Sequence, residues 1–451
     1  MLESNPFKYE VAMIAQRGEI GKCNFFNAVI KSPKETIRPL NIMQVDRYRD
    51  YIDNFTQLLT ITVVTTLAEY NRLVLYDHSA LKLTLTMYDI GKDTPYSLKA
   101  LSRPREFTYK AKIIDVASDQ ISQNNPISNS DGVGQMTLKT FSIQLLEPCF
   151  ESVSIKKVGG TFRKTSGIQL MKTLLTVFST DDEIDAVTAV TGVDVVSGFS
   201  TLEREQIIIK HPTPLVKAIT KIQENCGGVY PTGFSFFLQN NKWFIFPPYD
   251  LTLFGKAKKT ITVVNLPKDR LPGLEKTFFN SSTKLVVLST RDATYIDNRE
   301  ANTFNEGSAI SFVEADRLYD GFAEVKDNKI LVNASKNVNE VTLQERSDGV
   351  NILRGTETRI TSNKNIELSK LAKKRGFYIQ LTWEYSDDSL LYPGMPAKVL
   401  FLKDQRPASA VGVLIESETI WVPAEKSFKN TKFNKMTAMT FFVGNEEYVS
   451  S

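Results

Sequence analysis

Residues 81–87 read Leu-Lys-Leu-Thr-Leu-Thr-Met, the clearest alternation of apolar and polar side chains in the chain. A period of two places Leu81, Leu83, Leu85 and Met87 on one face, as a half-buried strand requires. Lys82, Thr84 and Thr86 are left for solvent or a partner. Phe141, Ile143 and Leu145 repeat the pattern against Ser142 and Gln144. Apolar clusters at 11–15, 25–30, 58–67 and 73–76 surround these strands. With no long helix evident between them, the spacing predicts a small antiparallel barrel or sandwich from Tyr9 to about Ile155. The stretch from Gln120 to Gly134 is rich in Asn, Ser, Asp and Gly, which bury too little surface to order themselves, so it reads as an exposed loop.

One such unit does not use up the chain. At 451 residues it exceeds what a single core holds, so two to four domains are expected. A hydrophobic share of 42% against 24% charged residues describes folded rather than disordered material. The 55 basic and 51 acidic residues leave a net charge of +4, too small a surplus for a dedicated nucleic-acid binder. The densest basic spots, Lys256, Lys258 and Lys259, and Lys373, Lys374 and Arg375, read as solvated faces. Cys23, Cys149 and Cys226 lie far apart without CxxC spacing, which suggests neither a zinc site nor a disulfide framework and fits a reducing cytoplasm. The only histidines, His78 and His211, have no carboxylate cluster near them in sequence. The opening residues lack a secretory pattern and no window approaches about 18 uninterrupted apolar residues, so neither export nor membrane spanning is expected. Asn-x-Ser/Thr triplets at Asn54, Asn280 and Asn333 carry no meaning without export.

Further along, the period changes. Ile168, Met171, Leu174, Leu175 and Phe178 recur at helical spacing behind Thr165 and Ser166, either of which suits a cap, and predict a helix over about 166–178. A second helix over about 214–226 has Thr213 as N-cap, Pro214 at its first position, a stripe of Leu215, Val216, Ile219 and Ile222, and Gly227 as C-cap. Aromatic runs at 233–238 and 243–247 flank Gln239-Asn240-Asn241-Lys242, where Asn tolerates the positive φ of a tight turn, and predict a hairpin over 233–247. Beyond Leu251 the pattern is poor until a short helix over 365–375, with Leu368 and Leu371 inward and Gly376 at its end. Strands follow at 377–385, 397–403, 411–417 and 437–443, the second delivered by the loop Tyr392-Pro393-Gly394-Met395-Pro396. The fold class is thus α+β, mainly β, with two small antiparallel β-barrel domains and an α/β insert between them. The expected division is 1–157 for the first barrel, 158–270 for the insert, 271–364 as a mixed region without clear assignment, and 365–451 for part of the second barrel.

Chemistry-bearing motifs are missing: the chain contains no GxxxxGK[ST] loop, HExxH helix, GxSxG elbow or strand-borne GxGxxG fingerprint. Gly132-Val133-Gly134 and Gly159-Gly160 suit turns better than a phosphate cradle. Asp387 and Asp388, or Asp181, Asp182 and Glu183, form adjacent carboxylates in polar turns, whereas hydrolysis needs two carboxylates facing each other across a cleft. No catalytic, cofactor-binding or metal-ligating residue is assigned, and no cofactor is implied.

Three passages resemble the central baseplate hub subunit of T4-like contractile phage tails. They are Pro214 to Ile219 running through Gly227-Gly228 into Phe234 to Ile245; Leu368 to Phe377; and Leu391 to Phe401 followed by Gly412 to Ser417 and Met439 to Phe442. The resemblance covers roughly the C-terminal half, and the N-terminal barrel fits by architecture. It implies a non-enzymatic virion protein, assembled in the host cytoplasm, that forms a homotrimeric ring joining a sixfold tail tube to a threefold spike and leaves a channel for DNA. The implied partners are the tail tube protein, the central spike and baseplate wedge proteins, with neither specific nucleic-acid recognition nor a membrane anchor. Longer loops and the stretch from Leu251 to Lys364 depart from the family. Two alternatives stay open: a cell-wall or polysaccharide hydrolase, motivated by aromatic strands such as that of Trp243 and Phe244, and another non-enzymatic tail or secretion-spike component.

Overall fold

The computed structural model describes residues 6–75, 81–92, 102–114, 138–177, 189–225, 228–271, 274–296, 310–314, 324–326, 329–331, 341–345, 365, 368–369, 372–373, 375–403, 406–424, 432–444 and 447–448. Among them the protein is mainly β with few helices. The predicted loop at 120–134, the carboxylates at 181–183, Cys226 and His78 lie outside the described residues, as does nearly all of 297–364 apart from four short strands.

The chain opens with helix α1 (Pro6–Arg17) and continues through β1 (Lys22–Lys31), β2 (Asn41–Asp50), β3 (Leu58–Thr66), β4 (Lys82–Gly91), β5 (Arg105–Ile114) and β6 (Leu138–Leu146). Strand β4 buries Leu83, Leu85 and Met87, with Leu81 just before it, and β6 buries Phe141, Ile143 and Leu145, as alternation predicts. Two of the apolar clusters within the stretch expected to be β are helical instead. At 11–15 the chain lies within α1, where Phe7 and Ile14, two turns apart, pack on a common core. At 73–75 it ends a helix, Leu67–Leu75, opened by a capping box in which Glu69 Oε2 accepts from Thr66 N at 3.0 Å and Thr66 Oγ1 accepts from Glu69 N at 3.3 Å.

The middle of the chain holds β7 (Lys157–Ser166), helix α2 (Gly167–Val177), β8 (Glu203–Pro214), helix α3 (Leu215–Asn225), β9 (Ser235–Gln239) and β10 (Lys242–Phe246). Ser166 caps α2, accepting from Gln169 N at 3.3 Å while Gln169 Oε1 accepts from Ser166 N at 3.2 Å. Thr213 does not cap α3: its hydroxyl donates back to Lys210 O, and Pro214 is still strand, so β8 runs directly into the helix. The hairpin turn between β9 and β10 has Asn240 at φ 53° and Asn241 at φ 58°, the left-handed pair a two-residue turn needs. Ile168, Met171, Ile219, Ile222 and Trp243 lie in one core beneath these elements.

The remaining strands are β11 (Thr260–Asn265), β12 (Lys276–Asn280), β13 (Lys284–Ser289), β14 (Phe377–Glu384), β15 (Pro396–Lys403), β16 (Arg406–Pro423) and β17 (Phe433–Val443). They form one sheet in the order β14, β17, β16, β15, β11, β13, β12. This sheet is mixed rather than antiparallel, because β11 runs parallel to both β15 and β13. Its sequence Ile261-Thr262-Val263-Val264 is buried on both faces, the continuous apolar run that a parallel strand requires. β11, β12 and β13 come from 260–289 and so bring residues of the expected insert and of the unassigned region into the C-terminal core, where Ile261, Phe278 and Leu285 are fully buried.

Strand β16 is the longest, at 18 residues against the seven predicted at 411–417. Its first half belongs to the C-terminal sheet. After an irregularity between Leu414 and Glu416, its second half pairs with β2 from Glu416↔Asp50 to Trp421↔Val45. Phe433 at the start of β17 pairs with Asn24 of β1. The antiparallel pairings β1–β4, β4–β5, β5–β6, β6–β3, β3–β2, β2–β16, β16–β17 and β17–β1 therefore close on themselves. Trp421 and Phe433 enter the core of this circuit beside Ile30, Ile61 and Leu83.

Candidate functional site

The most unusual chemistry in the fold lies where the N-terminal circuit meets the C-terminal sheet. Arg47 and Arg49, two residues apart on β2, Lys435 on β17 and Asp388 in the turn after β14 converge there. Lys435 Nζ is 2.5 Å from Asp388 Oδ1, and Arg47 Nη1 is 2.8 Å and Arg49 Nη1 3.4 Å from Oδ2. The side chains of Asp388, Arg49 and Lys435 are only 3%, 3% and 4% exposed. Burial opposes ionisation of Asp388, but Lys435, Arg47 and Arg49 overcome it and hold its carboxyl far below the usual carboxylate range.

Around this centre the polar groups are chained. Arg49 Nη1 donates to Asp388 O at 3.3 Å and its Nε to Gln57 Oε1 at 3.2 Å, and Gln57 Nε2 donates to Glu147 Oε1 at 2.6 Å. Burial pushes the Glu147 carboxyl up, against the pull of Arg49 and Arg47. Arg47 Cζ and Lys435 Nζ sit 5.1 and 5.3 Å from the ring centre of Trp421, close enough for cation–π attraction. Trp421 Nε1 donates to Asn24 Oδ1 at 2.8 Å. Thr437 Oγ1 lies 2.6 Å from Ser386 Oγ and 2.9 Å from Thr419 Oγ1. Asp387, in the same turn with 14% of its side chain exposed, accepts from Lys22 Nζ at 2.7 Å.

The insert joins at the adjoining segment 51–57. Tyr51 bonds Ser417 through its hydroxyl at 3.0 Å and packs edge-on against Phe237 at 4.8 Å. Leu238 N donates to Phe55 O at 2.8 Å, Ser235 Oγ donates to Tyr51 O, and Gln239 Nε2 donates to Leu391 O at 2.7 Å. The Pro393-Gly394 turn holds the other side: Met395 N donates to Tyr392 O at 3.2 Å and Gly394 takes φ 70° directly against Phe246. Three hydrophobic cores thus share one polar joint.

The structure separates the two neighbouring aspartates singled out in sequence. Asp388 is locked as an ion among three cations, and Asp387 is engaged by Lys22, so neither faces the other across a cleft. Trp243 is fully buried, and Phe244 stacks on Tyr392 at 6.3 Å, so neither ring stands free to receive a sugar. Burial pushes the thiol of Cys149 up to about 12, far from a reactive thiolate. Cys23 is likewise buried, and His211 is exposed on β8. Lys256 donates to Thr252 Oγ1 and Lys259 to Asn280 Oδ1, while Lys374 lies outside the described residues. Among the described residues no group of three or more His, Cys, Asp or Glu is placed to hold a metal ion, and no helix is long and apolar enough to cross a membrane. Arg47, Arg49, Lys435 and Trp421 had no signal in the sequence beyond being polar or aromatic residues, because the contacts that unite them are made across the fold: Arg47 lies 341 residues and Arg49 339 residues from Asp388.

Its structural neighbours are phage tail and VgrG proteins. A tail protein from Neisseria meningitidis MC58 aligns over 93% of this chain and 96% of its own at 11% identity and a TM-score of 0.42. The 43 kDa tail protein of prophage MuSo2 from Shewanella oneidensis aligns over 93% and 98% at 8% identity and a TM-score of 0.44. A Francisella PdpA–VgrG complex aligns over 99% of this chain and 63% of the other at 10% identity and a TM-score of 0.40. No protein-family model matches the chain, and no curated protein does.

Proposed function

We propose that the protein is a structural hub subunit of a phage tail baseplate, a homotrimer that adapts a sixfold tail tube to a threefold central spike around a channel for DNA. The observation that carries this reading is the way β16 and β17 complete the N-terminal strand circuit while also forming the C-terminal sheet, with the Asp388 joint between them. Two barrel-like units fused through shared strands make one stiff body, which is what a part that transmits force between tube and spike needs. The mixed C-terminal sheet, with β11 in it, then serves as the second barrel unit, and the stretch from β7 through β10 as the insert between them. Three copies would present six such units in a ring. The partners of this reading are the tube, spike and wedge proteins, its place is the virion of a contractile tail, and its chemistry is confined to contacts.

The mass of the purified chain in solution tests it. Light scattering on a sizing column should give three times 50.8 kDa, and electron microscopy of that species a threefold ring with a central channel. A monomer at micromolar concentration, with or without spike protein, refutes the hub. A chain that clears host cell walls or polysaccharide in a zymogram refutes the non-enzymatic reading.

A further inference from the structure

Two strand surfaces that face away from the joint carry charge without an ion-pair partner among the described residues. The first is the ribbon β7–β8, whose strands, among the described residues, pair with each other and with no third strand. Its inner face sends Val158, Ile207 and Ile209 into the core with α2 and α3. Its outer face shows Ile208, 67% exposed, opposite Thr161, with Arg163 opposite Gln206 and Lys210 next along the strand. Arg163 and Lys210 are exposed, and among the described residues neither forms an ion pair. Nearby, the buried Nε of Arg204 has no acceptor among the described residues.

The second surface is the outer face of the β16–β2 pair, opposite to the side that sends Ser417, Thr419 and Trp421 inward. Glu416 lies across from Asp50, Glu418 across from Tyr48, and Ile420 across from Asp46. Val422, 49% exposed, extends the stripe. Among the described residues no cation pairs with Asp46, Glu416 or Glu418; Gln44 Nε2 donates to both Asp46 carboxylate oxygens at 2.8 Å, and Tyr48 hydrogen-bonds Glu416. Burial, and then the like charges of Glu416 and Asp46, push the Glu418 carboxyl above its usual range. Each surface is therefore a strand pair with an exposed aliphatic side chain, Ile208 or Val422, beside charge that no ion pair among the described residues neutralises, basic on the ribbon and acidic on the half-buried β16–β2 face. Alternate residues from 204 to 210 and from 416 to 422 span about 20 Å on each.

We propose that the basic outer face of the β7–β8 ribbon in one copy docks on the acidic β16–β2 face of the next copy, head to tail. This rests on the hub reading and names the surfaces that build its ring. Opposite charge selects a second copy as the occupant, and like-charge contact between two identical faces disfavours the isologous alternative. A contact between two different patches repeats from copy to copy and closes into a ring when the rotation allows it.

The test uses the full chain and three variants: Arg163→Glu with Lys210→Glu, Glu416→Lys with Glu418→Lys, and all four changes together. Each two-site reversal should reduce the ring to the 50.8 kDa mass, and the four-site chain, with both signs exchanged, should regain the wild-type mass. If the wild type forms a ring and either reversal leaves it intact, the docking inference fails while the hub reading stands. A four-site chain that stays monomeric overturns the inference as well. A monomeric wild type removes both. Should a reversal lose its cooperative thermal melt, Ile208→Glu, a single change at an exposed site, is expected to give the monomer, and an intact ring overturns the proposal.

Discussion

Replacing Asp388 by Asn tests whether the joint holds the fold together. The change is nearly isosteric, so it removes charge rather than volume. It leaves Arg47, Arg49 and Lys435 facing each other without their shared anion, with Arg49 and Lys435 almost wholly buried. Breaking a buried pair in this way costs about 3–5 kcal/mol, because the remaining charge has lost both solvent and partner. With a urea slope of about 3 kcal/mol/M, the unfolding midpoint should fall by about 1 to 1.7 M. Equilibrium unfolding followed by tryptophan emission reports it directly, since Trp421 lies between Arg47 and Lys435. Adding Lys435→Met to Asp388→Asn should recover part of the loss, giving a coupling of about 0.5–3 kcal/mol. The pH dependence has a definite sign. The folded carboxyl sits far below its ordinary value of 3.8, so its stabilisation is present above that value and is lost as pH falls toward the folded one. The gap between wild type and Asp388→Asn should therefore narrow below about pH 4. A loss of under about 1 kcal/mol at neutral pH, or strict additivity with Lys435→Met, would refute the reasoning.

Asp387→Asn should cost about 1–2 kcal/mol, less than the effect next door, because its partner Lys22 keeps 33% of its side chain in solvent; an equal loss in the same urea titration would contradict this. Gly394→Ala should destabilise by about 1–3 kcal/mol from backbone strain alone, and by more from crowding, since a Cβ there would lie 2.3 Å from the Phe246 ring; an unchanged melting temperature would count against it. Trp421→Ala should cost about 3–5 kcal/mol in the core of the N-terminal circuit, although the residue lies near the other end of the chain, and chemical denaturation measures it. For the same reason residues 1–157 expressed alone should show no cooperative melt, and one that melts cooperatively would show that the strands of 406–443 are dispensable there.

The parts of the fold that were legible in sequence are those that local physics decides. Leu81 to Met87 and Phe141 to Leu145 alternate because one face of each strand packs on apolar residues. Asn240-Asn241 and Pro393-Gly394 mark turns because positive φ restricts which residues fit. The starts of α2 and α3 lie within a residue of those expected, while the expected ends at 178 and 226 fall outside the described residues; α1 lies in a stretch expected to be β, since Val11, Ile14 and Ala15 look like a short apolar run unless Phe7 is counted with them. The Thr66-x-x-Glu69 spacing is the local signal that marks the start of the helix Leu67–Leu75.

What stayed hidden has one physical cause. The second half of β16 buries Ser417, Thr419 and Trp421, and β17 buries Lys435 and Thr437, so the inner face of this hairpin is largely polar and its alternation reads as solvent exposure. That face is polar because it meets Arg47, Arg49 and Asp388, residues distant in sequence that become neighbours only when the circuit closes. The same arrangement explains why a division at 157 cannot be read from composition: the strands that complete the first unit carry no mark of belonging to it. An ionic centre of this kind contributes little to stability compared with apolar residues of the same shape, but it penalises any pairing that leaves its charges unmatched. A one-residue slip of β16 along β2 would turn Trp421 outward and carry Glu418 or Ile420 toward Arg47, Arg49 and Asp388, so the joint sets the register in which the two halves of the chain are fused.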